Sequence, residues 1–433
     1  MTTTSLRVLA AATAGLSLLA SCDSSSSKKE STDTRAADAS AASPAGLAPG
    51  HWDGWVRAQN KAIHFEFDVA VENGKPVVYL INKGLGGAER LRCDEITSAG
   101  DSTTIRLHVF DAALVMRPDG ADKLAGTWVK YDAKTPYRVP VVALHGQRPM
   151  PVAQPNTPNY TGTWRATFTE ADGNTYPAVG IFKQDGGAIT GTFLTTTGDY
   201  RYLSGAVLPS GLGLSTFDGN HGFLFQATKQ PNGTLKGDFY SGKAGHETWT
   251  AVLDPKAKLP DADTLTYMKK GESQLNFKFP SIFEGGVVDP SAPKYRGKVV
   301  VIQLLGSWCP NCMDETAYLA PWYDKNKSRG VEVIGLGYER SPDYKVASAR
   351  LRNLRDRYHI NYELAVAGVS NKDSAAKSLP QLAKVLAFPT TIFLDKKGNV
   401  RKIHTGFAGP GTGKYYQEEI AGFNREVDKL LKE

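Results

Sequence analysis

The feature that most constrains this chain is an apolar run from Lys298 to Leu305 that leads through Gly306-Ser307 into Trp308-Cys309-Pro310-Asn311-Cys312. An unbroken apolar run suits a strand buried on both faces, and the segment after it reads as the opening of a helix. Two cysteines are thereby delivered to the positive end of a helix dipole, beside backbone N–H groups that have no intrahelical partner. Cys309 is expected to ionise more readily than a free thiol, and Cys312, one turn on, to attack a mixed disulfide formed at Cys309. A zinc site would need a second cysteine pair or histidines at ligand spacing, and the eight histidines are dispersed. Neither a metal nor a cofactor is expected.

The pattern around this segment is that of an α/β domain over 271–433, preceded by a linker over 256–270. A second apolar run, Val331 to Gly337, follows the helical stretch. Helical patterns span Tyr344 to Tyr358 and Ser374 to Leu386. Thr391 to Asp395 and Val400 to Thr405 read as strands around the turn Lys396-Lys397-Gly398-Asn399, and Tyr415 to Leu431 as an amphipathic terminal helix.

From roughly Leu275 to Glu433 the chain resembles the TlpA/ResA group of thioredoxin-like disulfide reductases. The resemblance is carried by the Trp-Cys-Pro-Xaa-Cys motif, by Glu315 three residues beyond Cys312, and by Phe388-Pro389-Thr390-Thr391-Ile392-Phe393-Leu394-Asp395. It implies a thioredoxin-like fold with Cys309 and Cys312 as the redox pair and with Pro389 cis and opposite the cysteines. Phe388 would then present its backbone N–H and C=O to an extended substrate as a short added strand. Trp308, Pro310, Phe388 and Pro389 are the substrate-binding residues this implies.

Thioredoxin itself carries a buried Asp six positions before the first cysteine; here that position is Gln303, which cannot take a proton. The resemblance implies that Glu315 takes over beside the resolving thiol. The plainer alternative is a solvated glutamate that favours the helix dipole. The sequence departs from the group in two places. Thr316-Ala317 stand where a proline usually follows the glutamate, with Pro321 later, and Leu304-Leu305 replace a common aromatic pair.

The N-terminus reads as a leader. Arg7 precedes an apolar stretch, Val8 to Leu19, too short to span a bilayer, and Leu19-Ala20-Ser21-Cys22 resembles a bacterial lipobox. The expectation is a lipoprotein signal peptide over 1–21, acylation of Cys22, a disordered linker over 22–49, and a lipid-anchored, periplasm-facing location in a bacterial envelope. With Cys22 committed to lipid and the 309/312 pair to redox chemistry, Cys93 is left over and reads as a small half-buried hydrophobe.

A chain of 433 residues is multidomain. Residues 50–255 read as an all-β module of antiparallel meanders: short runs of Val, Ile, Phe, Tyr and Thr broken by turns such as Glu72-Asn73-Gly74-Lys75 and Asp218-Gly219-Asn220. Triplets ending in Trp52, Trp128, Trp164 and Trp249 suggest a duplication into halves at about 50–147 and 159–255. The likeness to lipocalin-like barrels is one of pattern only, and a structural or partner-docking role is favoured over a ligand-binding one. The net charge of +7 is scattered among acids, so nucleic acid is not an expected partner.

The function expected from these readings is a membrane-tethered thiol-disulfide oxidoreductase that reduces disulfides of envelope proteins, with protein disulfides as substrates and an upstream thiol as reductant. A metallochaperone would space its cysteines by three and add a distant histidine; His404, the candidate in this region, reads as structural. A peroxidase-type redoxin would use a lone cysteine in a Pro- and Thr-rich loop.

Overall fold

The computed structural model describes residues 46–133, 135–149 and 152–433. Cys22 and the leader lie outside the described residues. At the end of the expected spacer the structure differs from the expectation of disorder to residue 49. Leu47 is buried, and the Ala48 carbonyl accepts the indole N–H of Trp52 at 2.9 Å.

Two antiparallel meanders follow. The first has nine strands, from Gly50–Ala58 to Tyr137–His145, and its first strand pairs with its last. In the strand Lys61–Glu72, Ile63, Phe65, Phe67 and Val69 alternate inward, as a sheet with one solvated face demands. The turn to the next strand is Asn73-Gly74, with φ of 50° and 72°, the left-handed pair that a two-residue hairpin loop needs.

The second meander runs from Gly162–Thr169 to Gly245–Leu253. Its first and last strands pair, and Thr175–Asp185 pairs with Ala188–Thr195, so the ladder closes all round. The barrel is filled by aromatic side chains: Phe168 meets Phe193 edge-on at 5.2 Å and Phe225 stacks on Phe239 at 4.4 Å. Both meanders begin alike. Gly50 and Gly162 have φ of 122° and 143°, and Trp52 and Trp164 each donate to the carbonyl four residues earlier. The closing tryptophans are not equivalent. Trp249 lies on the last strand of its barrel, whereas Trp128 lies on Lys123–Lys130, one strand before the last, and donates to Gly219 O of the second barrel at 3.1 Å.

The C-terminal domain carries a five-stranded sheet. Its elements are β1 (Val299–Leu305), α1 (Pro310–Asn326), β2 (Val331–Glu339), α2 (Tyr344–Tyr358), β3 (Glu363–Val369), α3 (Lys372–Ser378), β4 (Thr390–Leu394), β5 (Val400–Thr405) and α4 (Lys414–Lys432). The order is β3-β2-β1-β4-β5, with β4 antiparallel to β1. Every residue of β1 is buried, Leu304 and Leu305 included. The helix expected over Ser374 to Leu386 is a short one ending at Ser378, because Pro380 lacks an N–H and disfavours helix in the residue before it. The strand Glu363–Val369 carried too weak a pattern to be read from sequence.

Residues 256–270 form no strand, yet they are held against this domain. Asp263 pairs with Lys402 and His404, and Thr405 donates to the buried Thr266 at 2.9 Å. The structure also corrects the reading of Cys93. It is fully buried at the end of Gly87–Cys93, and desolvation pushes its thiol up to about 12.

Candidate active site

β1 ends at Leu305 and α1 begins at Pro310, so the turn between them presents Cys309 as the helix cap. The Cys312 N–H donates to Cys309 Sγ at 3.3 Å, which is the orphan helix donor that the sequence places there. Across the site the Phe388–Pro389 bond is cis, and the Cys309 thiol donates to the Phe388 carbonyl at 3.4 Å. Cys309, Cys312, Phe388 and Pro389 are therefore brought together, with the Trp308 ring edge-on to Phe388 at 6.0 Å. The Trp308 indole is fixed by donation to Tyr338 O at 2.9 Å, and Arg340 lies over its ring.

The two cysteines are free thiols and are not equivalent. Cys309 keeps 6 % exposure and Cys312 none. Burial pushes the Cys312 thiol well above its ordinary range, and the Cys309 sulfur beside it and the charge of Glu315 act in the same direction.

Glu315 is not a solvated helix-end charge: it is 2 % exposed. One carboxylate oxygen accepts from Gln303 Nε2 at 2.7 Å and the other from the Thr391 hydroxyl. Burial raises it to about 7, against the opposing effect of those two hydrogen bonds. Gln303 thus holds the glutamate in place, and Thr316, at one of the positions where the sequence departs from the group, shares hydrogen bonds with the same amide.

Sequence reasoning missed the grip of the two meanders on this site. Asn220 of the second barrel donates to Trp308 O at 2.7 Å, Asn311 donates to Asp199 O at 3.1 Å, and Arg201 holds Asp314 on α1. The first meander meets α2 through Asp94 with Arg357 at 2.7 Å, Asp111 with Arg350, and His108 with the Tyr358 hydroxyl at 2.9 Å. Some of the basic excess therefore serves docking between domains. Nothing in residue spacing signals pairs so far apart in the chain.

Part of the chain is similar to known proteins. The Redoxin family model matches residues 269–418. Thiol-disulfide oxidoreductase ResA of Halalkalibacterium halodurans is 27 % identical over 138 residues, which is 32 % of this chain and 69 % of that protein. The C-terminal domain is similar to the TlpA/ResA-like thioredoxin-fold thiol-disulfide oxidoreductases. ResA of Bacillus subtilis is 28 % identical over 111 residues, covering 26 % of this chain and 55 % of its own. A solved thiol:disulfide interchange protein of the thioredoxin family from Chlorobium tepidum covers 38 % of this chain and 99 % of its own, at 17 % identity and a TM-score of 0.28. The region matched by the Redoxin model lies in the C-terminal part of the chain, and both meanders fall outside it.

Proposed function

We propose that this protein is a membrane-tethered protein-disulfide reductase of the bacterial envelope, acting through the Cys309–Cys312 dithiol. The observation that carries the reading is the asymmetry of the pair: Cys309 caps α1 and keeps an exposed edge, whereas Cys312 is sealed. In the reaction Cys309 attacks a client disulfide as the thiolate, and one client sulfur leaves with the electron pair. Cys312 then gives its proton to Glu315 and attacks Cys309 Sγ, so the client's second sulfur leaves as a thiolate, which takes a proton from solvent, and the pair becomes a disulfide. An upstream thiol reductant restores the dithiol.

Trp308, Pro310, Phe388 and Pro389 would receive the client segment. The Phe388 backbone beside Cys309 supports strand-like docking. The tether is assigned to acylated Cys22, which ends the lipobox-like Leu19-Ala20-Ser21-Cys22.

Trapping tests the division of labour. Cys312→Ser should accumulate a mixed disulfide with an oxidised client, and Cys309→Ser should form none. Equal trapping by both variants would overturn the assignment. For the tether, Cys22→Ala should move the protein from the membrane to the soluble fraction, and an unmodified Cys22 in the wild type would refute the anchor.

A further inference from the structure

Residues directly opposite on neighbouring strands point to the same face of a sheet. Gln303 on β1 is opposite Thr391 on β4, and Thr391 is opposite His404 on β5, so three polar side chains form a row across one face. Glu315 from α1 lies against the inner end of that row through its bonds to Gln303 and Thr391. At the outer end His404 Nε2 is 2.9 Å from Glu419 on α4 and Nδ1 is 2.7 Å from Asp263. A cavity of about 270 Å³ connects these groups. Its lining includes Glu315, Thr391, His404, Glu419, Lys402 and Ala408.

We propose that Glu315 exchanges its proton with solvent through this cavity rather than past the thiols, and that His404, clamped by Asp263 and Glu419, is the positioning residue whose charge lets the buried carboxylate form. The inference rests on the role given to Glu315 above. In each turnover the proton taken from Cys312 must leave Glu315 before the next resolution, and the carboxyl is sealed from solvent on the Cys312 side. Burial alone would depress the His404 ring, but its bonds to Asp263 and Glu419 outweigh this and lift it to about 10, so it is a cation at neutral pH. The charged and titratable groups that face Glu315 are Cys312 on α1, Tyr362 before β3, Lys402 and His404 on β5, and Tyr415, Glu418 and Glu419 on α4. His404 favours the ionised carboxyl and Glu419 opposes it.

The test follows the rate of mixed-disulfide resolution against pH in the full chain. Glu315→Gln should abolish the pH dependence; if it does not, the proposed role of Glu315 has failed and the route with it. Given that loss, His404→Gln should move the midpoint up by about one pH unit, and Glu419→Gln should move it down, opposite signs that a merely structural role would not produce. Ala408→Leu, which enlarges a side chain lining the cavity, should slow resolution several-fold at every pH with the midpoint in place. If either charge variant fails to fold by tryptophan fluorescence, the other decides by its sign. Unmoved midpoints, or a wild-type rate in Ala408→Leu, would overturn the proposal while leaving Glu315 its role.

Discussion

Arg201 of the second barrel holds Asp314 of α1 in a two-pronged grip, Nε and Nη2 each 2.7 Å from a different carboxylate oxygen, two residues beyond Cys312. The guanidinium is buried and also meets Glu89 at 2.7 Å and Asp218 at 3.5 Å. One cation thus stands among several buried acids. Burial raises Asp199 to about 7, with Asp314 adding to it. Burial would raise Asp218 too, but His221 and Arg201 outweigh it and bring it to about 2.

Removing the cation should therefore cost more than removing one acid. Breaking a buried pair typically costs about 3 to 5 kcal/mol, and Asp314→Asn leaves Arg201 two other partners, whereas Arg201→Ala leaves the acids facing one another. Urea denaturation should rank Arg201→Ala as the more destabilised. Both variants should also raise the alkylation rate of Cys309, because the loops that bind Trp308 O and Asn311 are anchored by this grip. An unchanged alkylation rate in a folded Asp314→Asn protein would show that the barrel does not restrict the site.

The contact of the first meander with the residue just after β2 is of another kind. Arg340 and Asp132 lie 2.7 Å apart but are both partly exposed, so solvent and salt screen them and the pair should contribute only about 0 to 1 kcal/mol. Arg340→Ala should leave the denaturation midpoint almost unmoved. A loss as large as that of Arg201→Ala would mean the pair is desolvated in solution.

Cys93 tests the reading of the odd thiol. Because the thiol is sealed and pushed to about 12, it should stay silent to a thiol reagent in the native protein and react only on unfolding. Cys93→Ala should keep disulfide-reductase turnover and cost about 1 kcal/mol for the small cavity left behind. A fall in turnover with stability intact would give this thiol a part in the redox chemistry.

The parts of the fold that could be read in the sequence are those set by short-range physics. β1 is legible because burial on both faces leaves no polar position except Gln303, and the hairpin at Asn73-Gly74 because few residues accept two left-handed conformations in succession. The cysteine pair is legible for the same reason: strand, turn and helix start are contiguous. Burial of Glu315 was harder, since a glutamate in a first helical turn looks the same whether it faces water or sheet. What decides it is Thr391, seventy-six positions on, and that contact has no local signature. The grip of Arg201 on Asp314 is likewise invisible until two domains are placed together.

The last prediction concerns Glu315 and stability. Its folded pKa, about 7, lies above the ordinary carboxyl value of 4.5, chiefly through burial. A carboxyl shifted upward binds its proton more tightly in the folded state, so below the unfolded value it costs nothing. As pH rises between the two values, the buried group must ionise in an unfavourable site or keep a proton that the unfolded chain has released, and stability is lost. A shift of this size corresponds to about 3 kcal/mol, complete above the folded pKa. Glu315→Gln keeps the side-chain shape and removes the charge, so relative to wild type it should gain about 3 kcal/mol between about pH 4.5 and about pH 8. Asp199, which titrates in the same range, is present in both proteins and cancels in the difference. Urea denaturation of the two proteins at the two pH values measures it. A difference that stays constant with pH would mean that Glu315 ionises in the folded protein as easily as in the unfolded chain, and a carboxyl of that kind would have no reason to wait for the proton of Cys312.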